Sequence, residues 1–263
     1  MKKITIVVIM TLVMAANAAA QVVTNISKER IALYAKCKVK SFIIYTAEAK
    51  YDIISGKTVP GEWQKTTKQI FNPQGLLVEE ISYNFSGAPE NWIKYSSFDN
   101  FQNPTKLTAL NSDGSVQVII KYKNTYQNGK IQSVEWFVLD TNLVTIEKYL
   151  YDEHDRCSKF ETYDVTNGNL FLNEYSTYGY DAKGRLKITE KYAYHESEGS
   201  VGYVNSQECE YDEITGKLIA TKGVGYLYKC KYDNKGLIIG NSVYGGNYGD
   251  PHKFEKIVYE YKQ

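Results

Sequence analysis

Tyr180-Asp181-Ala182-Lys183-Gly184-Arg185-Leu186 is the stretch whose reading decides the fold. It recurs as Tyr211-Asp212-Glu213-Ile214-Thr215-Gly216-Lys217-Leu218 and as Tyr232-Asp233-Asn234-Lys235-Gly236-Leu237. Degraded copies stand at Tyr51-Asp52-Ile53-Ile54-Ser55-Gly56-Lys57, Phe71-Asn72-Pro73-Gln74-Gly75-Leu76 and Tyr151-Asp152-Glu153-His154-Asp155-Arg156. Each copy reads as a strand end, a tight turn and a strand start. Asp or Asn opens a type I turn by accepting backbone N–H groups, and the following Gly tolerates the positive φ that reverses the chain.

A second, glycine-rich turn alternates with the first, at Ser86-Gly87, Ser112-Asp113-Gly114, Asn167-Gly168, Ser197-Glu198-Gly199 and Gly245-Gly246-Asn247. Aromatic markers at Tyr51, Phe71, Phe98, Tyr122, Tyr151, Tyr180, Tyr211 and Tyr232 leave room for two strands and two turns per unit. The chain therefore reads as all-β, an antiparallel meander of repeats forming one long, twisted or rolled sheet of about sixteen strands. Val116, Val118, Ile120 and Tyr122 alternate with Gln117, Ile119 and Lys121, which gives one apolar, tyrosine-rich face and one charged face. Tyr226, Tyr228, Cys230 and Tyr232 alternate in the same way with Leu227, Lys229 and Lys231. Open sheets rarely exceed ~10 strands, so this one must curl, close or fold over itself.

The aromatic-Asp-x-x-Gly-Arg/Lys-Leu punctuation resembles the YD (Rhs-type) repeats, most closely those of short secreted bacterial YD-repeat proteins. The resemblance runs from Val39 to the C-terminus, is strongest over 178–239 and is weak over 90–150. It implies a coiling antiparallel sheet and carries over no catalytic residue.

Residues 1–20 read as a signal peptide: Lys2 and Lys3, an apolar run Ile4–Met14, then small-x-small sites at Ala16-Asn17-Ala18 and Ala18-Ala19-Ala20. No Cys follows the run, so a lipoprotein is not expected, and the mature chain is expected in the periplasm or outside the cell, without integral membrane association. Residues 21–36 read as an irregular lead-in and 37–263 as the repeat domain. Cleavage removes two of 31 basic residues, leaving 29 against 30 acidic ones, a net charge of −1. Nucleic acid is excluded as a main partner, because it needs a concentrated basic surface.

No motif carries chemistry. His154, His195 and His252 fall in turns of different repeats, and the chain has no metal-ligand spacing, nucleophile elbow or phosphate loop, so no catalytic, metal or cofactor residue is assigned. Glu208 and Glu210 share a strand face and are read as a charge ladder rather than an acid–base pair. Cys209 and Cys230 occupy equivalent positions two residues before Tyr211 and Tyr232, one return strand apart. At ~4.8 Å per strand they are too far apart to bridge.

The functional expectation is an extracytoplasmic, non-enzymatic β-repeat scaffold that binds an unidentified protein or envelope polysaccharide. An immunity partner of a toxin is the alternative, and an envelope hydrolase ranks last. Candidate exposed aromatics for binding are Trp63, Trp92, Tyr203, Tyr244 and Tyr248.

Overall fold

The structure, a computed structural model, describes residues 25–195, 199–246 and 248–262. The expected signal peptide lies outside the described residues, as does most of the turn at 196–198. One helix, α1 (Asn25–Lys36), precedes β1 (Val39–Asp52), β2 (Lys57–Pro60), β3 (Gln64–Phe71), β4 (Leu77–Tyr83), β5 (Pro89–Phe98) and β6 (Pro104–Leu110). Then come β7 (Val116–Gln127), β8 (Lys130–Val138), β9 (Asn142–Tyr151), β10 (Cys157–Thr166), β11 (Asn169–Tyr180) and β12 (Leu186–His195). The chain finishes with β13 (Ser200–Tyr211), β14 (Leu218–Gly223), β15 (Tyr226–Tyr232), β16 (Ile238–Gly245) and β17 (Pro251–Tyr261).

Every described pairing is antiparallel, and β1 pairs with both β3 and β17. The ring therefore has no free edge: β1 and β3 to β17 form a closed sixteen-stranded barrel, and β2 is a short hairpin arm paired only with the far end of β1. This corrects the expectation of a long or rolled sheet. Closure pairs Phe42 with Tyr259 and Ile44 with Ile257, and the Lys262 N–H donates to the Lys38 carbonyl at 2.8 Å. An edge strand leaves a row of unpaired backbone groups, and closure satisfies them.

The Tyr-Asp turns gather at one mouth, the end at which α1 enters and β17 stops. The Asp181 N–H donates to the Arg185 carbonyl, and the Gly184 N–H returns to the Asp181 carbonyl. Asp181 Oδ1 accepts the N–H of Lys183 and Arg185, each at 2.9 Å. The same backbone loop forms at Asn72, Asp99, Asp152 and Asp233, and at Asp212 with one residue more. Gly184 has φ +78°, while Gln102 and Asp155 hold the corresponding position at φ +67°. The spacing lost around Phe98-Asp99 is thus still a turn of this kind. It forms at the opposite mouth too, at Asn84 and Asn111.

Two markers move. Tyr51-Asp52 opens the β1–β2 hairpin at the opposite mouth, so it is not a repeat of the series. Tyr122 is a mid-strand core residue, and Tyr126, beside the tight β7–β8 turn, takes the marker position with its hydroxyl on Asp99 Oδ2.

A bulge follows five of the six turns at the Tyr-Asp mouth, the Asp99 turn being the exception. Register skips Val78, Ser158, Lys187, Ile219 and Ile239, each the second residue of its return strand. Bulges increase local twist and bend the strand, so bulges recurring at these turns coil the sheet towards closure. The carbonyl just before the bulge is then taken by the tyrosine of the next repeat. Tyr180 donates to Cys157 O at 2.7 Å, Tyr211 to Leu186 O at 2.8 Å, Tyr232 to Leu218 O at 2.7 Å and Tyr259 to Ile238 O at 2.8 Å. The basic residue closing one turn lies over the ring opening the next: Arg156 over Tyr180 at 4.5 Å, Arg185 over Tyr211 at 4.6 Å and Lys217 over Tyr232 at 5.3 Å. The repeat is thus a staple between neighbours, with a hydrogen bond and a cation–π contact from each unit to the next.

The inner face differs around the ring. From β5 to β10 it is mostly apolar and packed, with Ile93, Tyr95, Leu107, Ile120, Trp136 and Tyr149 all buried beside a few polar residues on β9 and β10. At the Tyr-Asp mouth, Tyr34 of α1 packs edge-on against Phe42, Phe71 and Tyr259. The described part of the lead-in expected to be irregular, Asn25–Lys36, is therefore a helix packed at this mouth. A Cβ on Gly75 would sit 2.3 Å from the Ile31 carbonyl oxygen, which measures how closely the β3–β4 turn approaches the helix.

Candidate functional site

The outer wall is charged. On β7 and β8, Lys121, Lys123 and Glu135 face out, and Lys123 pairs with Glu135 at 3.1 Å. Glu210 meets Lys222 of the neighbouring β14 in an ion pair, and Glu208 lies directly opposite Lys222. The basic partner in this charge ladder is Lys222 of the adjacent strand.

Cross-strand register builds one continuous outer row from β9 to β13: Lys148, Glu161, Tyr175, Tyr192 and Tyr203. The rings of Tyr175 and Tyr192 stack at 4.5 Å with 13° between planes, and Tyr203 meets Tyr192 edge-on at 5.7 Å. Lys159 Nζ lies 4.3 Å from the centre of the Tyr175 ring. Lys159 is itself held by Glu161 at 2.8 Å. Register skips Val204, and this bulge brings Tyr203 opposite Tyr192. Tyr175 and Tyr192 thus have neighbours on their ring faces, whereas Tyr203 is 51 % exposed at the end of the row.

Of the candidate aromatics, Tyr203 and Tyr248 are exposed, while Trp63, Trp92 and Tyr244 are half-buried. Trp92 Nε1 donates to Glu79 at 2.6 Å. Lys256 lies 4.8 Å from the Trp63 ring, and Lys229 lies 4.9 Å from that of Tyr244. The structure does not bring the five together: Trp92, Tyr203 and Tyr244 are on β5, β13 and β16, and Trp63 and Tyr248 are in the connections before β3 and before β17. Among the turn residues, Asp52, Asp152, Asp181, Asp212 and Asp233 all cap their own loops, which explains their side-chain chemistry without a ligand. Tyr151 donates to Ile131 O at 2.8 Å; Gly216 and Gly236 both have positive φ.

The inner face holds polar residues that the sequence reading passed over. Glu147, Thr162 and Glu174 are cross-strand partners on β9, β10 and β11. Glu147 and Thr162 are each only 1 % exposed. Glu147 Oε2 accepts from Tyr149 at 2.9 Å, whereas Glu147 Oε1 and Thr162 Oγ1 are buried without a hydrogen-bond partner. Burial, with the nearby Glu174 charge, pushes the Glu147 carboxyl up to about 8. Asp164, two residues along β10, is raised by burial and by the same Glu174 charge. Glu174 itself pairs with Lys191 of β12 at 2.7 Å. Among the described residues no group of three His, Cys, Asp or Glu is arranged to hold a metal ion. The inward pattern was legible only once the bulges had set the register.

All four cysteines are free. Strand β14 lies between Cys209 and Cys230, as their spacing predicts.

No protein-family model matches the chain, and no curated protein matches it. Among solved structures it is similar to a porin-like protein from Bacteroides vulgatus, 13% identical, with 84% of this chain and 98% of that chain covered and a TM-score of 0.40. A DUF3836 family protein from Bacteroides vulgatus is 21% identical over 32% of this chain and 90% of its own, with a TM-score of 0.29. The Photorhabdus luminescens Tc holotoxin pore is 10% identical over 68% of this chain and 15% of its own, with a TM-score of 0.15. At these identities and scores they assign neither family nor function.

Proposed function

We propose that the protein is an extracytoplasmic, non-enzymatic barrel scaffold that binds a protein or an envelope glycan through its outer wall. The observation that carries this reading is the row Tyr175–Tyr192–Tyr203, three neighbouring rings on the outer face with the last one open. Aromatic rings offer apolar faces together with hydroxyl donors, and a stacked row held by Lys159 and Glu161 loses little freedom on binding. The leader-like residues 1–20 support export, and the turn chemistry supports kinship with short secreted YD-type proteins. The wall does not suit lipid. A membrane barrel carries an outward apolar band ~25 Å tall, and here Lys121, Lys123 and Glu135 occupy outward positions in mid-wall.

The test is capture from a native envelope extract with the immobilised mature protein, comparing wild type with Tyr203→Ala and with Tyr192→Ala/Tyr203→Ala. Specific retention of a protein or polysaccharide by the wild type and its loss in the double variant is the expected result. Equal retention by the double variant contradicts the proposed surface.

A further inference from the structure

We propose that the inner face of β9–β11 is a binding site for a small organic cation of the primary-amine class, held between Asp164 and Glu174 with Glu147 behind them. The site is built from three carboxyl side chains on adjacent strands against one ammonium. Register sets Glu147 opposite Thr162 and Thr162 opposite Glu174, with Asp164 on the same face of β10. Lys191 neutralises Glu174 through one 2.7 Å contact, which leaves two acids without a basic partner on this wall.

Two further atoms point to an occupant. Glu147 Oε1 accepts nothing and Thr162 Oγ1 bonds to nothing, although both side chains are more than nine-tenths buried. Buried polar atoms are ordinarily satisfied, and an orphaned pair in one cross-strand row implies a missing hydrogen-bonding partner. The wall is reachable from solvent: on the same inner surface the Lys191 side chain is 38 % exposed, and Gln207 and Phe171 are exposed. Access is from the mouth opposite α1, where Phe171 and Asp164 face each other near the strand ends.

The class of ligand follows from the donors and their spacing. No three acidic groups converge as metal ligands do among the described residues, so a compact divalent ion is a poor match. An ammonium group supplies three N–H donors on a flexible stem, can share Glu174 with Lys191, and can reach a second carboxylate without closing a coordination sphere. Alkyl carbons of such a ligand would lie along the apolar wall that begins at Tyr149 and Tyr178.

The proton balance is part of the proposal. Without a cation, burial keeps Glu147 largely protonated at neutral pH, since its carboxyl is pushed up to about 8. A bound ammonium favours the carboxylate, so the complex forms with release of a fraction of a proton from Glu147. The other titratable groups facing this stretch are Tyr122, Tyr149, Tyr178, Cys157, Asp164, Glu174 and Lys191. Burial raises the three tyrosines and takes Cys157 up to about 11, so these four stay neutral at pH 7.

Isothermal titration of the mature protein with 1,4-diaminobutane and with spermidine, in two buffers of different ionisation enthalpy, tests this directly. Saturable binding is expected, with a heat that differs between buffers by the released protons. Glu174→Gln and Asp164→Asn should each weaken it at least tenfold. Glu147→Gln should abolish the buffer dependence with a smaller loss of affinity. Near-ultraviolet circular dichroism checks that each variant is folded. Absence of saturable binding to the folded wild type overturns the proposal, as does affinity unchanged in Glu174→Gln or binding of calcium or magnesium but not of either amine. The outcome is independent of the outer-wall reading, because Tyr203 lies on the other side of the sheet.

Discussion

Tyr211 shows what one residue of the repeat does. Its ring carries the Arg185 guanidinium, its hydroxyl takes the Leu186 carbonyl, and its backbone pairs with Leu218 across the turn. Removing the hydroxyl leaves a half-buried carbonyl without that donor, so Tyr211→Phe should lower stability by about 1 kcal/mol in urea unfolding. An unchanged midpoint would mean that water replaces the hydroxyl at no cost. Gly184, at φ +78°, sits where a β-branched residue is strained, and Gly184→Val should destabilise by roughly 1–3 kcal/mol, read as a fall in thermal midpoint. Glu147 acts through pH. Its carboxyl is raised from the ordinary carboxylate range to about 8 by burial, so the folded state binds a proton that the unfolded chain gives up near pH 4.3. Stability from this group is complete below that pH and is lost as pH rises towards 8, by about 1.4 kcal/mol per unit. Glu147→Gln should flatten that slope; a wild-type stability that climbs steadily from pH 5 to 8 would contradict the assignment.

At the scale of elements, the hairpins were legible and their bulges were not. Asp or Asn with a Gly three or four residues on is enough to place a turn, because side-chain capping and positive φ are local requirements met by few residue types. The bulged residues Val78, Ser158, Lys187, Ile219 and Ile239 share no chemistry, since a bulge is set by how two strands pair rather than by the residue it expels. Alternation read from sequence therefore slips by one beside each bulged turn. That slip hid the inward row of Glu147, Thr162 and Glu174, and it hid the meeting of Tyr192 with Tyr203. Helix α1, read as an irregular lead-in, was hidden because Ile31, Leu33 and Ala35 alternate like a strand, whereas in the structure Tyr34 packs on Phe42, Phe71 and Tyr259. Strand order was legible enough to place β14 between Cys209 and Cys230. Four titratable thiols per chain are expected under denaturing, non-reducing conditions, and a Cys209–Cys230 crosslink would contradict the strand order.

On the scale of the whole molecule, sixteen strands, a bulge at five of the six Tyr-Asp turns and a helix in one mouth give a barrel whose inner wall is mostly apolar on one side and more polar on the other. The sequence signalled that so long a sheet must close or fold over, but not which. Closure rests on the pairing of β1 with β17, the first and last strands, and no local pattern reports a contact between chain ends. Phe42, Tyr259 and α1 bring those ends together at the Tyr-Asp mouth, and the Lys262 N–H to Lys38 carbonyl bond completes the ring. The measurement that tests closure most directly is cross-strand nuclear Overhauser contact between backbone protons of β1 and β17 in the isotopically labelled mature protein. The barrel predicts contacts between Phe42 and Tyr259 and between Ile44 and Ile257, alongside those of β1 with β3. Strong β1–β3 contacts with none between β1 and β17 would show an open sheet and contradict the fold.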